Sequence, residues 1–362
     1  MTKESREFYT DKLLRKNVTF IVRRSGKMTN ELFEQFGLSV EGKTKVGKYD
    51  AFTYQNILYT MVLVGNLEQD EIVELNQLSQ FMIEKGDTGV ASFVPTRQGS
   101  FIATVQNKKV LLLRSPYYSY SKHIRTGKEL AKFHQKGRSF PYQITKCVRI
   151  GQWKFLWEKR LDQMELFWKD RVHNHPANSF EKLFVESFPY YLGVTENAIQ
   201  YLVDTELDDE PKFTDSATVC HHRFTSETWN GSKLVKLPTE WVFDHCSRDL
   251  AEWIRHYYFA NNKMEQATLR QFVTDYERAT PLSTFSWRLL YARLLFPIHY
   301  FECVEGYFTS QTDLDRQAYE KKLFRIIEDS NDYEQFLRTF FYKAGVNVQT
   351  YGIPEVGWIQ HL

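Results

Sequence analysis

The chain has 362 residues, with 47 Lys+Arg against 45 Asp+Glu, 42% hydrophobic residues and 25% charged residues. At roughly 100–200 residues per domain this length suits two domains or one two-lobed unit, and the apolar fraction excludes global disorder. A net charge of +2 excludes nucleic-acid binding driven by whole-molecule charge, and the low Gly (17) and Pro (10) counts exclude collagen-like and linker-rich classes.

In chain order, residues 18–23 alternate around Phe20 and Val22, a strand pattern. Residues 52–64 are near-alternating and rich in β-formers, with Asn56 marking a turn between two strands. Over 69–86 the period changes. Ile72, Leu75, Leu78, Phe81 and Met82 recur at three and four, which predicts an amphipathic helix stopped by Gly86. Strands follow at 101–106 and 109–114, joined at Asn107–Lys108.

After Ser115-Pro116 the pattern becomes helical. Helices are expected at 127–137 (Leu130, Phe133 and His134 on one face), 156–172 and 196–207. A β insert interrupts them: a strand at 217–221, a hairpin turning on Asn230-Gly231, and a second arm at 233–237. Further helices are expected at 249–260, 264–278, 283–306, 312–329 and 331–344. The order is a β-rich lobe of residues 1–115 with one helix, then a helical lobe of residues 116–362.

Cys147, Cys220, Cys246 and Cys303 are widely spaced and include no CxxC pair, so four reduced, mainly core cysteines are expected and no zinc site. No apolar run follows the charged first 27 residues, and none approaches the ~20 residues that span a bilayer, so neither a signal peptide nor membrane insertion is expected. Charge is uneven: residues 122–171 carry 13 Lys/Arg and 5 Asp/Glu, while 180–216 carry 2 Lys and 9 Asp/Glu. Two solvated surfaces of opposite sign, or a docking surface for proteins, would follow. His173 and His175 would share a face only if their backbone were extended; the adjacent pair His221-His222 points to opposite faces of a strand.

Three motifs connect the lobes to a known architecture. Gly127-Lys128-Glu129-Leu130-Ala131-Lys132-Phe133-His134 resembles the "G-x-x-L-A-x-L-H" helix of the aminoglycoside-phosphotransferase and choline-kinase branch of the protein-kinase-like fold. Val219-Cys220-His221 stands where that branch has the strand entering its "H-G-D-x-x-x-x-N" loop, and Arg248-Asp249-Leu250-Ala251 resembles its "D-L-A" helix start. Pro281-Leu282-Ser283, Leu295-Phe296-Pro297 and Tyr300 resemble a run in the bacterial spore-coat CotS group. The resemblance implies a two-lobed α+β kinase-like fold over the full length. It also implies a place in a spore-coat sub-branch that lacks catalytic residues.

The family's chemistry needs an acceptor-orienting carboxylate, oxygen ligands for Mg²⁺ and a phosphate-binding lysine. With His221 as the motif histidine, the aspartate position holds Arg223, the asparagine position Thr228, and the second metal-ligand position near 237 holds Leu237. Arginine does not serve as a base at neutral pH. Asp244 lies further on, but its five-residue spacing to Asp249 is short for the family's intervening loop, which argues against it as the metal ligand. No lysine stands on residues 57–64 to pair with Glu71 or Glu74, and Gly42, Gly47, Lys43, Lys45 and Lys48 fit an ordinary turn better than a phosphate loop.

His221, Arg223, Thr228 and Leu237 therefore mark degenerate positions, with no catalytic group, cofactor or metal expected. Arg223, Arg248 and Lys236 are expected to leave positive charge near the former active site. The resemblance implies a non-enzymatic coat component, made in the mother-cell cytoplasm and then incorporated into the coat. Its partners would be other coat proteins, with no nucleic acid and little reason to bind nucleotide. The alternatives are an atypical small-molecule or protein kinase, in which Asp244, Asp249, Glu227 and Thr228 hold Mg²⁺, or a nucleotide-sensing pseudokinase.

Overall fold

The computed structural model describes residues 28–116, 124–229, 234–261, 263–354 and 356–357. The strand expected at 18–23 and the Asn230-Gly231 turn lie outside them. Two compact units emerge: residues 1–122 with 227–241, and residues 123–226 with 242–362.

The first unit is built on an antiparallel sheet. A helix over 28–36 (α1) precedes β1 (Gly42–Val46), β2 (Tyr49–Tyr54) and β3 (Ile57–Leu63). Then come α2 (Gln69–Glu84), β4 (Ser92–Phe93), β5 (Ile102–Val105) and β6 (Lys108–Pro116). The strands lie in the order β1-β2-β3-β6-β4, with β5 also paired to β6. Two of the three tight hairpins turn on Gln55-Asn56 and Gln106-Asn107, all four at positive φ, where the primed turns match the twist of the strands. The second turn lies one residue earlier than the sequence pattern suggests. Residues 42–48, with their lysines, form the β1–β2 hairpin.

Both faces of the sheet are apolar, following the two-residue period of a strand. Phe52, Tyr59, Val110 and Leu112 pack with Leu32 of α1 on one face. Leu58, Thr60, Val62, Leu111 and Leu113 are the buried alternate set. In α2, Ile72, Leu75, Leu78 and Met82 are completely buried, each worth about 2 kcal/mol of transfer free energy. Gly86, at φ +75°, follows the helix and takes the left-handed conformation that a side chain would disfavour.

Residues 234–240 belong to this unit, and they do not form the second arm of a hairpin. Lys236 bridges Val90 in parallel, with its N–H donating to the Gly89 carbonyl (2.8 Å) and its carbonyl accepting from Ala91 (3.0 Å). A second anchor is Tyr49, whose hydroxyl donates to Glu240 (2.8 Å).

The second unit is mainly helical. It contains α3 (Thr126–Arg138), α4 (Trp153–Asn174), α5 (Ser179–Asp208) and β7 (Thr218–His221). The strand that pairs with β7 is β8 (Trp241–Asp244), and Val148 bridges its Phe243 in parallel. Seven helices follow: α6 (Ser247–Ala260), α7 (Gln266–Glu277), α8 (Thr284–Leu295), α9 (Ile298–Thr309), α10 (Asp313–Glu328), α11 (Ser330–Arg338) and α12 (Phe340–Ala344); a last turn, α13 (Val348–Tyr351), ends the described helices.

Three differences from the sequence expectation have local causes. The helix expected at 196–207 begins at Ser179, capped by the Asn178 side chain, and runs through Pro189. Proline removes one backbone bond, and here a face carrying Phe180, Phe184, Phe188 and Tyr191 is buried regardless. The helix expected at 283–306 is broken into α8 and α9 at Pro297, and the one at 331–344 is divided between α11 and α12. Aromatic stacking joins these helices: Phe180 on Tyr307 (3.6 Å between centroids), Tyr191 on Tyr300 (3.7 Å) and Trp253 on Phe272 (3.7 Å). All four cysteines are buried and none forms a disulfide. Among the described residues no helix is long and apolar enough to cross a membrane.

Candidate functional site

The site in the helical unit starts from the end of β7. His221 donates its backbone N–H to Asp249 Oδ1 (2.9 Å), and its Nδ1 lies 2.7 Å from Asp249 Oδ2. Asp249 stands in the first turn of α6, where the helix dipole favours a carboxylate. His134 on α3 completes the brace, with Nε2 3.2 Å from Asp249 and Nδ1 2.8 Å from the Tyr276 hydroxyl. Burial holds the His134 imidazole neutral, at a pKa of about 4, against the opposing pull of Asp249. Asp249 would be raised by its own burial, but its close contacts with His221 and His134 outweigh that and keep it ionised.

His134, Cys220 and Asp249 bring ligand-type atoms within 4.8 Å of one another. Their chemistry fits a brace better than a metal. Burial pushes the Cys220 thiol well above its usual value, so it stays a protonated donor, directed at the carbonyls of Asp244 (3.6 Å) and His245 (3.4 Å). The approach of α3 to this region depends on glycine. A Cβ at Gly127 would lie 2.2 Å from the Phe272 carbonyl oxygen, and one at Gly137 would lie 2.6 Å from Val219 N.

Two residues beyond His221, Arg223 turns its guanidinium toward two carboxylates. Nε is 2.8 Å from Glu302 and Nη1 is 2.9 Å from Glu252. Burial alone would lower its pKa, but Glu252 and Glu302 reverse the shift, so the group is a fixed cation. Glu252 also receives Arg255 (3.1 Å) and Arg293 (2.7 Å). Its burial disfavours charge, yet Arg223, Arg255 and Arg293 hold its carboxyl well below the usual range.

Asp244 ends β8 and is completely buried. Trp153 Nε1–H donates to both of its oxygens (3.0 and 2.9 Å), the His245 N–H to Oδ1 (2.7 Å) and Arg248 Nε to Oδ2 (2.6 Å). The carboxylate that the strand carries at its end is therefore Asp244, already surrounded by donors.

Of the positions singled out in the sequence, His221, Arg223, Asp244, Arg248 and Asp249 lie in the helical unit. Thr228 and Leu237 belong to the 227–241 segment of the sheet unit, where Leu237 is buried ahead of a short 3₁₀ turn over Pro238–Glu240. The three cations expected near the former active site are each paired with carboxylates. Lys236 is fully buried on Asp87 (2.9 Å) with its ammonium over the Trp229 ring (4.7 Å), Arg248 is bound to Asp244, and Arg223 to Glu252 and Glu302. His173 is helical, so the extended geometry that would align it with His175 is absent. Sequence reasoning missed Glu252 and Glu302. The signal available was the spacing of Glu252, three residues after Asp249 on α6.

The family model described as "Spore coat putative kinase YutH" matches residues 29–340. The chain is 44% identical over 312 residues to the endospore coat-associated protein YutH of Bacillus subtilis (strain 168), covering 86% of this chain and 91% of that protein. Among solved structures it resembles an aminoglycoside phosphotransferase from Alicyclobacillus acidocaldarius, with a TM-score of 0.60, 13% identity, and coverage of 89% of this chain and 93% of that one. It also resembles the AMP-bound spectinomycin phosphotransferase, with a TM-score of 0.56, 12% identity, and coverage of 83% and 94%. At such identities the structural likeness establishes the kinase-like fold alone. The chain belongs to the spore coat YutH family of proteins with a kinase-like fold.

Proposed function

We propose that this protein is a catalytically degenerate member of the kinase-like fold that serves as a structural or assembly component of the bacterial endospore coat, in contact with other coat proteins. The observation that carries the loss of catalysis is Arg223. A guanidinium held by Glu252 and Glu302 occupies the place, two residues past His221, where the fold's chemistry needs a carboxylate. That cation neither accepts a proton nor attracts Mg²⁺. The absence of lysine from β3 and the four hydrogen bonds already made to Asp244 support the same reading. The coat role is supported by the name of the B. subtilis relative, an endospore coat-associated protein, and implies synthesis in the mother cell followed by incorporation into the coat.

Asp244 favours a second reading, a nucleotide-binding pseudokinase, because a strand-end carboxylate is the group that would meet a nucleotide-bound cation. Thermal unfolding with ATP, with and without Mg²⁺, together with an ATP-turnover assay, separates the two. The expected result is no shift and no turnover. A shift without turnover establishes the nucleotide-binding pseudokinase instead, and a shift with turnover overturns the loss of catalysis. Fractionation of mature spores tests the location: recovery outside the coat extract would remove the coat assignment.

A further inference from the structure

Within the helical unit, α6, α9 and α10 line an open cleft of about 600 Å³. That volume falls in the range of small-molecule sites, about 300–1,000 Å³. Its wall is divided by chemistry. Phe259, Ile298 and Ile326 supply an apolar surface, and Arg223, Arg255, Lys321, Lys322 and Arg325 supply cations.

The charges do not cancel. Glu252 and Glu302 are taken up by Arg223, and Glu252 by Arg255 as well. Lys321, Lys322 and Arg325, at i, i+1 and i+4 on α10, form no salt bridge among the described residues, and the remaining acid on the wall is Asp329. Two buried atoms of this region have no hydrogen-bond partner among the described residues. Arg255 is 4% exposed and its Nε–H has no acceptor, and the buried Nδ1 of His299 has no hydrogen-bond partner. Burial, with Arg255 and Lys322 close by, keeps the His299 imidazole neutral. Neither atom is open to the cleft, so the positive charge a ligand meets there is that of Lys321, Lys322 and Arg325.

We infer that this cleft binds a small organic dianion, a phosphate ester or a dicarboxylate with an apolar body, its charged end at the cations of α10 and its body against Phe259, Ile298 and Ile326. The inference extends the inert reading by giving the helical unit a ligand, and it does not depend on whether ATP is turned over.

Isothermal titration with phenyl phosphate, phthalate and inorganic phosphate tests it on the full chain. Phenyl phosphate or phthalate is expected to bind saturably, more tightly than inorganic phosphate, and more weakly as salt rises. The better of the two organic probes identifies the head group. The double variant Lys322→Glu/Arg325→Glu, which changes only exposed side chains, is expected to weaken binding by roughly tenfold or more with an unchanged circular dichroism spectrum. No saturable binding by either organic probe overturns the inference. So does equal affinity in the double variant, or inorganic phosphate binding as tightly as phenyl phosphate. ATP turnover in the separate assay would remove the loss of catalysis and leave this site standing.

Discussion

Lys236 Nζ lies 2.9 Å from Asp87 Oδ2, joining positions 149 residues apart in the chain. Both side chains are buried, and the ammonium also faces the Trp229 ring. This pair ties the 234–240 segment to the end of α2, and Tyr49–Glu240 ties the same segment to the β1–β2 hairpin.

Removing one partner strands the other charge. Lys236→Ala is expected to cost about 3–5 kcal/mol, because a buried carboxylate loses its counter-charge. The double variant Lys236→Met/Asp87→Leu should recover most of that stability. Denaturant titration measures both. A single variant within experimental error of the parent would show that the pair contributes nothing.

Arg223→Asp puts a carboxylate in the position that phosphoryl transfer requires. It also leaves Glu302 without its guanidinium and places three acids together. The expected outcome is a loss of about 1–3 kcal/mol and no gain of ATP turnover, since one carboxylate does not replace a metal site and a phosphate lysine. Stability and turnover measured on the same preparation check this; turnover in the variant would falsify the view that several parts of the machinery are altered together.

His134 sets an acid limit. Its folded pKa of about 4 lies below the unfolded value near 6.5, so the unfolded chain takes up a proton that the native chain does not. Stability is therefore present above about pH 6.5 and declines as pH falls toward 4, by about 3 kcal/mol at most from this group. Asp249, whose carboxyl is held down, keeps its contribution until more acid conditions. The stability–pH slope between 6.5 and 4 should be shallower by up to one proton in His134→Gln. An identical slope would remove His134 as the cause.

Gly127→Ala tests the α3–α7 packing. The new Cβ would meet the Phe272 carbonyl at 2.2 Å, and backbone on both sides leaves little room to yield. A loss of about 1–3 kcal/mol is expected despite the better helix propensity of alanine. Thermal unfolding decides it: a gain in stability would mean that the helices separate without cost.

The sequence by itself determined the elements whose pattern is local. The three- and four-residue spacing of Ile72, Leu75, Leu78 and Met82 defined α2, the alternation over 52–64 defined two strands, and the motif around Leu130, Phe133 and His134 defined α3. It also located Arg223 two residues past His221, because a motif is read at fixed spacing. Helix limits at Pro189 and Pro297 were harder to read. A buried aromatic face carries α5 through one proline, while the other separates α8 from α9.

Only the tertiary structure decided where the 234–240 segment pairs, which carboxylate ends β8, and which acids hold Arg223. Lys236 meets Val90 and Asp87, and Arg223 meets Glu252 and Glu302, across 29 to 149 residues of chain. Such partners depend on how helices and strands pack, and an ionised group is drawn to whichever counter-charge the fold brings within reach once water is excluded. The periodicity of a chain records which face of an element is buried, and it carries no record of the residue waiting on the other side.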